Sequence, residues 1–460
     1  MESIEVFRSP SIDDEFVVPG DKSISHRAML LAALAEGESE IHNVLAAEDC
    51  LNTADCLRAM GVGIHHSILK GDMTVKGVGL HGLQAPGAML DCGNSGTAMR
   101  LLLGVLSGQP FSATLTGDAS LQKRPMNRVM LPLRMMGAKF SGLEREDRTG
   151  ALNLFPPIGV QGSSKLKGIT YELPMASAQV KSAILLAGLF SKEPTTVIEP
   201  EPTRDHTERM LMGMGLKLDV LTVGHGKKIT LHPGPLHTIR IEVPGDISAA
   251  AFWLVAASIL PGSRLIIRDV GLNPTRTGVL DVLKSMGADF FTEKVRTVCG
   301  ETVGDICIKA TQLKATTIAG ALIPRLIDEI PILAVAAACA QGETIIKDAQ
   351  ELRVKESDRI KTVVSQLLKM GVNIRETEDG MIIQGDMHAI KGGRVSSHGD
   401  HRIAMSCAIL GLLGQGPTVI EDTACIATSY PSFERTLRKV LRIGESAEIE
   451  DEEELEEDEG

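Results

Sequence analysis

The sequence predicts an α/β protein with two domains, each built from three copies of a βαβαββ unit. Three observations lead to this fold class. A block of similar plan recurs about every 70–80 residues, which is the signature of a repeated supersecondary unit. Within each block an apolar run with helical spacing precedes a short β-like run. The tetrapeptide VPGD occurs at Val18 and again at Val243, and it divides the blocks into two sets of three.

The blocks carry the same elements in the same order. A polar or glycine start leads into an Ala- and Leu-rich helix and a β-like run, and a second helix then ends in Met-Gly. We expect each of these methionines to be buried and each glycine to end its helix, since glycine readily adopts the left-handed conformation of a helix C-terminus. The sixth block lacks the closing Met-Gly and is degenerate. The blocks begin at Lys22, Cys92, Ala176, Val243, Asp328 and Gly399.

The repeat sets the predicted domain boundaries. Residues 20–242 form the first α/β domain, and residues 1–19 together with 243–443 form the second, with a hinge near Gly20 and Val243. Residues 444–460 contain eleven acidic residues and no basic one, which predicts a disordered acidic tail. Without these eleven charges the formal net charge of −12 becomes −1, so the folded body is nearly neutral.

Composition excludes several classes of function. Only 3% of residues are aromatic, and the body is nearly neutral, so neither base stacking nor a polyanionic partner is expected. No apolar stretch reads as a membrane span. The eight cysteines include no CxxC pair, and the N-terminus shows no signal segment, which predicts a reduced, cytoplasmic protein. We therefore expect no nucleic acid and no membrane as partner, and small anions as ligands.

Charged and polar residues collect at or just after the starts of the predicted helices. The first turn of a helix offers free N–H groups and the positive end of its dipole to an anion. Arginine binds carboxylate or phosphate through two N–H groups, and lysine acts as a mobile point charge. If all six helix starts face one cleft, that cleft would bind small dianions. The polar residues concerned include Lys22, Ser23, Arg27, Gly96, Arg124, Ser177, Gln179, Arg204, Asp328, Lys355, Glu356, Arg359 and Arg402.

Asp328 and Glu356 are the acidic members of this otherwise basic set. Binding alone does not explain them, because a carboxylate repels an anionic ligand. Both are therefore candidates for proton transfer, as base or acid. His398 and His401 favour hydrogen bonding over a metal site, since no third ligand is near in the sequence.

Eight motifs in order resemble the 5-enolpyruvylshikimate-3-phosphate synthase family, from about Gly20 to about Phe433. They are VPGDKSISHR, GNSGTAMR, KRPMNR, SAQVKSA, TRDHTERM, DEIP, LRVKESDR and GDHRIAMS. The resemblance implies transfer of the enolpyruvyl group of phosphoenolpyruvate to the 5-hydroxyl of shikimate 3-phosphate, with release of phosphate, in chorismate and aromatic amino acid biosynthesis. It also implies no metal and no organic cofactor, and two inside-out α/β barrels that close over the substrates.

The same resemblance implies a role for each matching residue. The shikimate 3-phosphate site would comprise Lys22, Ser23, Arg27, Ser177, Ala178, Gln179, Arg204, Asp328 and Lys355. The phosphoenolpyruvate site would comprise Lys22, Gly96, Arg124, Gln179, Arg359 and Arg402. Asp328 would accept the proton of the 5-hydroxyl, and Glu356 and Lys22 would manage the proton at the methylene carbon.

Two departures from one branch of the family indicate the other branch, called class II. Ala178 stands in place of a serine, so only its backbone N–H can donate. Thr428 stands in place of a lysine that contacts phosphoenolpyruvate. The sequence RPMNR also resembles class II.

Three alternatives stay open on the sequence alone. One is the related enolpyruvyl transferase that acts on a uridine-diphosphate amino sugar, although the run GDASLQKRPM lacks the reactive cysteine expected there. The others are a catalytically silent anion-binding protein and an RNA-end-processing relative. Asp328 and Glu356 argue against silence. We expect a monomer.

Overall fold

The computed structural model describes residues 2–67, 71–147 and 150–441. The predicted acidic tail, residues 444–460, lies outside the described residues. Within these ranges, no helix is both long and apolar enough to cross a membrane.

Helices are interspersed with single strands and runs of strands along the whole described chain. The helices are α1 (Lys22–Leu34), α2 (Glu48–Ala59), α3 (Gly96–Ser107), α4 (Asn127–Met136), α5 (Ala178–Gly188), α6 (His206–Gly213), α7 (Ile247–Ile259), α8 (Gly278–Ser285), α9 (Ile330–Ala338), α10 (Arg359–Lys369), α11 (His401–Gly411) and α12 (Phe433–Val440). The strands are β1 (Ser3–Val6), β2 (Asp13–Val17), β3 (Glu36–His42), β4 (Gly63–Ser67), β5 (Asp72–Val78), β6 (Leu90–Asp91), β7 (Ser112–Thr116), β8 (Lys139–Glu146), β9 (Leu152–Gln161), β10 (Thr170–Glu172), β11 (Thr195–Glu199), β12 (Leu218–Val223), β13 (Gly226–Leu231), β14 (Arg240–Glu242), β15 (Arg264–Gly271), β16 (Asp289–Val298), β17 (Glu301–Lys309), β18 (Thr317–Ile318), β19 (Gly342–Ile346), β20 (Asn373–Glu376), β21 (Met381–Gly385), β22 (Gly393–Ser396) and β23 (Thr418–Glu421).

The strands of the described residues form six small mixed sheets, one for each predicted block. Their orders are β14-β3-β5-β4, β6-β7-β9-β8, β10-β11-β13-β12, β2-β15-β17-β16, β18-β19-β21-β20 and β22-β23-β1. Each sheet has one parallel pair, and its other pairs are antiparallel. A parallel pair needs a crossover. In the second, third, fifth and sixth sheets, the first helix of the block (α3, α5, α9 or α11) connects the two parallel strands. The degenerate sixth block gives the three-stranded sheet.

The apolar helices lie inside, surrounded by the sheets. All residues of α7 and α9 are buried, and so are eleven of the thirteen residues of α1. Such helices have no solvent-facing stripe, which explains why their sequences are apolar on every side. In the second set of blocks α7, α9 and α11 pack against one another. The predicted fold, with α/β units arranged inside out, is confirmed.

The Met-Gly ends behave as predicted. Each of the five methionines is fully buried, and each following glycine has a positive φ, so the glycine ends the helix while the methionine fills the core. The methionines are Met60, Met136, Met214, Met286 and Met370, followed by Gly61, Gly137, Gly215, Gly287 and Gly371.

Two separate cores divide the chain. One cluster of buried hydrophobic residues runs from Ile24 to Val243. The other combines Ile4 to Val18 with Ile247 to Val440. We call residues 20–242 the first half, and residues 2–19 with 243–441 the second half. The exact domain boundaries stay a prediction, which the separation of the two cores supports.

The two VPGD segments form the crossing point between the halves. Gly20 and Gly245 pair as an isolated β-bridge, and Asp21 N donates to Pro244 O at 2.8 Å. A Cβ on Gly20 would lie 2.0 Å from the carbonyl oxygen of Asn43, so only glycine fits there. The aspartates that follow, Asp21 and Asp246, cap α1 and α7 through their side chains.

Candidate active site

The starts of all six inner helices meet at one cavity of about 320 Å³ between the halves. Free N–H groups and helix dipoles from both halves therefore face the same space, which favours anions. Lining residues from or next to these starts are Lys22 and Ser23 (α1), Gly96 and Thr97 (α3), Gln179 (α5), Asp246 and Ser248 (α7), Asp328 (before α9), and His401 and Arg402 (α11).

Asp328 lines this cavity and has cations around it. One carboxylate oxygen accepts from Arg204 of the first half at 2.6 Å. The other accepts from Arg359 at 3.0 Å and lies 3.6 Å from Lys355 Nζ. Burial opposes the charged form of Asp328, but these three cations and Arg402 outweigh burial and hold its pKa well below the usual value.

Glu356 forms the second centre of negative charge. Its carboxylate lies 2.5 Å from Arg359 Nη2 and 3.4 Å from Arg124 Nη1, which belongs to the first half. Burial again opposes the charge, and Arg359 and Arg124 overcome it, so the pKa of Glu356 lies well below the usual value. Arg124–Glu356 and Arg204–Asp328 are ion pairs across the cleft, and an anion entering it has to compete with these carboxylates for the guanidinium groups.

Arg359 joins three carboxylates. Besides Asp328 and Glu356 it binds Asp400, the N-cap of α11, through Nε at 2.9 Å. Arg359 and Asp400 are almost fully buried. Burial favours the neutral guanidine, but Asp400 and the other two carboxylates raise the pKa of Arg359. Arg402, two residues beyond Asp400, donates to the backbone oxygen of Asp328 at 3.0 Å.

Gly96 lets arginines approach the start of α3. A Cβ at this position would lie 2.6 Å from Arg100 Nη1 and 3.1 Å from Arg124 Nη1. Arg100 Nη1 also donates to Gln179 Oε1 at 2.8 Å, which orients that amide. Burial, and then Arg128 and Arg124, lower the pKa of Arg100 to about 9.

Ser177 and Ala178 line an adjoining cavity of about 500 Å³. This cavity shares Gln179, Arg204, Asp328 and Lys355 with the first one, so the two form one continuous cleft. Ser177 caps α5, and Ala178 is the first residue of that helix.

A third cavity, of about 870 Å³, adjoins the cleft at Arg124, Lys355 and Glu356. Thr428 lines it, and its hydroxyl lies 3.3 Å from His401 Nδ1.

Arg27 differs from the other predicted residues because it lines none of these three cavities. Its guanidinium donates to Thr207, Ser182 and the backbone oxygen of Ser23, at 2.8, 2.9 and 3.0 Å. Burial, and then Arg204, lower its pKa to about 10. Arg27 thus supports Ser23 from behind, and direct contact with a ligand stays a prediction.

The two histidines make hydrogen bonds. His398 Nε2 lies 3.1 Å from the Gln366 side chain, and His401 bonds Thr428. Burial, and then Lys22 and Arg402, hold the pKa of His401 well below its usual value, so this imidazole is neutral. Within the part of the chain that the structure describes, no group of three or more His, Cys, Asp or Glu side chains is placed to hold a metal ion.

Comparison with known proteins supplies the family. The sequence model of EPSP synthase (3-phosphoshikimate 1-carboxyvinyltransferase) matches residues 8–437. The chain belongs to the EPSP synthase family. The enzyme class and the place in aromatic amino acid biosynthesis predicted from the motifs are confirmed by this membership.

Individual relatives and solved structures support the same family. The 3-phosphoshikimate 1-carboxyvinyltransferase of Thermoanaerobacter sp. (strain X514) is 50% identical over 435 residues, which are 94% of this chain and 99% of the relative. The 3-phosphoshikimate 1-carboxyvinyltransferase of Desulforamulus reducens is 52% identical over 425 residues, which are 92% of this chain and 96% of the relative. The solved structure of EPSP synthase from Acinetobacter baumannii has 47% identity and a TM-score of 0.82, and the match covers 96% of this chain and 98% of that one.

For this EPSP synthase family member, sequence reasoning missed two charged side chains that line the cleft, Arg276 and Asp49. Arg276 is buried and donates to Asp21 and Asp246 at 2.8 and 2.9 Å, so it joins the caps of α1 and α7 at the crossing point. Asp49, at the start of α2, pairs with Lys22. Neither lies in a family motif quoted above, and the only available signal was a charged residue inside an otherwise regular block.

Proposed function

We propose that the chain transfers the enolpyruvyl group of phosphoenolpyruvate to the 5-hydroxyl of shikimate 3-phosphate in the cleft between its halves, by addition followed by elimination. The observation that carries the proposal is the convergence of six helix starts around two partly buried carboxylates, with cations from both halves. Two anionic substrates must be brought together for this reaction, and such a site offsets their repulsion before the reaction begins.

The substrates would share the cleft between them. Shikimate 3-phosphate would contact Ser23, Ser177, Ala178, Arg204 and Lys355, with Arg27 behind Ser23. Phosphoenolpyruvate would contact Gly96, Arg124, Arg359 and Arg402. Lys22 and Gln179 would touch both.

Proton transfer would accompany both steps. In the addition, Asp328 takes the proton of the 5-hydroxyl, the hydroxyl oxygen bonds to C2 of phosphoenolpyruvate, and C3 receives a proton from the Lys22 ammonium with the help of the Glu356 carboxylate. In the elimination, C3 returns a proton to Lys22 and Glu356, the bond from C2 to the phosphate oxygen breaks, and phosphate leaves with the proton that Asp328 took up. The same groups then serve as acid and base in opposite directions.

The ion pairs of Asp328 explain how a weakly basic carboxylate would become a base. A substrate anion that binds Arg204 or Arg359 displaces Asp328 from that cation. Each displacement removes one interaction that holds the pKa of Asp328 down. Substrate binding would therefore raise the basicity of Asp328 at the time when a base is needed.

Phosphate release tests the proposed function. The purified chain is mixed with phosphoenolpyruvate and shikimate 3-phosphate without added metal, and inorganic phosphate is followed over time. The uridine-diphosphate amino sugar serves as the parallel acceptor. We expect release with the shikimate acceptor alone. Release with the sugar alone would contradict the assignment of the acceptor, and release with neither would contradict the reaction.

Three finer proposals accompany this function. Ala178, Thr428 and the sequence RPMNR support the class II branch. The eight cysteines are free, in keeping with a cytoplasmic enzyme. Each half contributes to one complete cleft within a single chain, which supports a monomer.

Gly96→Ala is expected to raise the KM for phosphoenolpyruvate about 10-fold and to leave shikimate 3-phosphate binding unchanged. The added Cβ collides with the ends of two flexible arginine side chains, Arg100 and Arg124, which move and take their N–H groups with them. Steady-state kinetics with each substrate varied in turn measures the effect. Gly213→Ala is the matched control, because a Cβ at Gly213 meets nothing within 4 Å. An unchanged KM in Gly96→Ala would contradict the placement of phosphoenolpyruvate beside α3.

A further inference from the structure

The lysine at the start of α1 has a buried partner on the neighbouring helix. Lys22 Nζ forms an ion pair with Asp49 Oδ2. Asp49 lies in the first turn of α2, and only 6% of its side chain is exposed, against 18% for Lys22. Both residues line the cavity of about 320 Å³. The pair therefore sits inside the cleft and not on the protein surface.

The second oxygen of Asp49 has no hydrogen-bond partner among the residues that the structure describes. Oδ1 is buried and accepts no hydrogen bond in the structure. Burial raises the pKa of Asp49, and Lys22 only partly counteracts it. A half-satisfied buried carboxylate is costly to the fold. The structural demands on α2 are met by apolar side chains such as Ala54 and Leu57, which are fully buried. A role in the reaction explains why a carboxylate is present at this position.

The surroundings of the pair are charged on several sides. After Lys22, Glu356 of the second half and Arg124 of the first half also act electrostatically on Asp49. His26 and His401 also lie within electrostatic range of Lys22, and burial is the first cause that keeps the pKa of each well below its usual value. Asp49 is therefore the anion in direct contact with the ammonium.

We propose that Asp49 is a positioning residue for the reaction, which holds the Lys22 ammonium in place at the foot of the cleft. The proposal rests on the proposed contact of Lys22 with both substrates. Asp49 itself touches neither substrate. A fixed ammonium can deliver its charge and its proton to the same point in every turnover.

This role has a signature that a simple binding role lacks. A carboxylate in the cleft repels both anionic substrates, so its neutralisation should leave their affinity unchanged or increase it. Turnover should fall at the same time, because the ammonium is no longer held. A residue that served binding would show the opposite pattern, with weaker affinity.

Asp49→Asn tests the proposal against Asp55→Asn. Asp55 lies on the same helix, is exposed and pairs only with Arg58 among the contacts described, so its variant controls for charge loss on α2. We expect kcat of Asp49→Asn to fall about 100-fold, the size of a misplacement by about 1 Å. The Kd for shikimate 3-phosphate should stay within twofold of wild type or decrease. Asp55→Asn should keep both constants.

A double-mutant cycle identifies the residue through which Asp49 acts. In single-turnover experiments, Asp49→Asn should cost nothing further once Lys22→Ala is present, because the held group is gone. A purely structural role would cost the same in both backgrounds. Thermal unfolding of every variant accompanies the kinetics. If Asp49→Asn does not fold, Asp49→Glu is used instead, because glutamate keeps the negative charge but moves the carboxylate by one methylene. Lost turnover with retained substrate binding is again expected.

The outcomes separate this proposal from the proposed function. Wild-type turnover in the Asp49 variant, or an equal loss in the Lys22→Ala background, overturns the positioning role and leaves the function standing. If the wild-type chain itself releases no phosphate from the two substrates, the proposed function fails, and the role of Asp49 fails with it.

Discussion

Asp328→Asn is expected to lower kcat about 100- to 10,000-fold while shikimate 3-phosphate still binds. Asparagine has the shape of aspartate, and its single side-chain oxygen can still accept from Arg204 or from Arg359, while the other guanidinium is left free for the substrate anion. Asparagine cannot take up the proton of the 5-hydroxyl. Phosphate release measures kcat, and titration calorimetry measures substrate binding.

Asp289→Asn is the control for this experiment. Asp289 is exposed and pairs with Lys309 at 3.0 Å on the surface of the second half. Exposed pairs contribute at most about 1 kcal/mol, so activity and stability should both be retained. Activity of Asp328→Asn within tenfold of wild type would exclude Asp328 as the base and would leave the proton of the 5-hydroxyl to Lys22 or Glu356.

Arg359→Lys is expected to destabilise the second half by about 3–5 kcal/mol and to raise the KM for phosphoenolpyruvate about 10- to 100-fold. A guanidinium reaches Asp328, Glu356 and Asp400 at once, whereas one ammonium cannot. Asp400 is fully buried and would lose its main cation. Urea unfolding can be followed through Trp253, the single tryptophan, which is buried in α7 of that half.

Arg394→Lys provides the comparison for Arg359→Lys. Arg394 is 69% exposed and pairs with Glu421 on the rim of the same half. The same chemical change should cost less than about 1 kcal/mol there. If the two variants were equally stable, the buried network around Arg359 would not contribute to folding as described.

The sequence was informative where function and fold use the same local feature. Each inner helix is apolar on all sides and starts with polar residues, and both properties can be read within one block. Periodicity therefore predicted the six blocks, and the convergence of helix starts at Lys22, Gly96 and Arg402 followed from their equivalence. The Met-Gly ends were predictable for the same reason, because a glycine with positive φ acts within its own helix.

Partners distant in the chain could not be predicted in this way. Periodicity does not show that β14 joins the sheet of β3, or that β1 pairs with β23. Nor does it show that Asp49 faces Lys22 or that Arg27 lies behind the cleft. These contacts depend on how whole blocks pack, and a one-residue shift in any strand would send the same side chains to the opposite face.

The pairing of β1 and β2 with strands far down the chain has a consequence for how the protein folds during its translation. When a ribosome has translated the first 242 residues, every strand of the first three sheets has been made, and the first core can form while translation continues. The N-terminal strands are made before all others, yet β2 waits for β15 and β1 waits for β23. Strand β1 thus finds its partner only after residue 421 has been made, and the cleft, which also needs Arg402, is assembled late in the synthesis of the described residues.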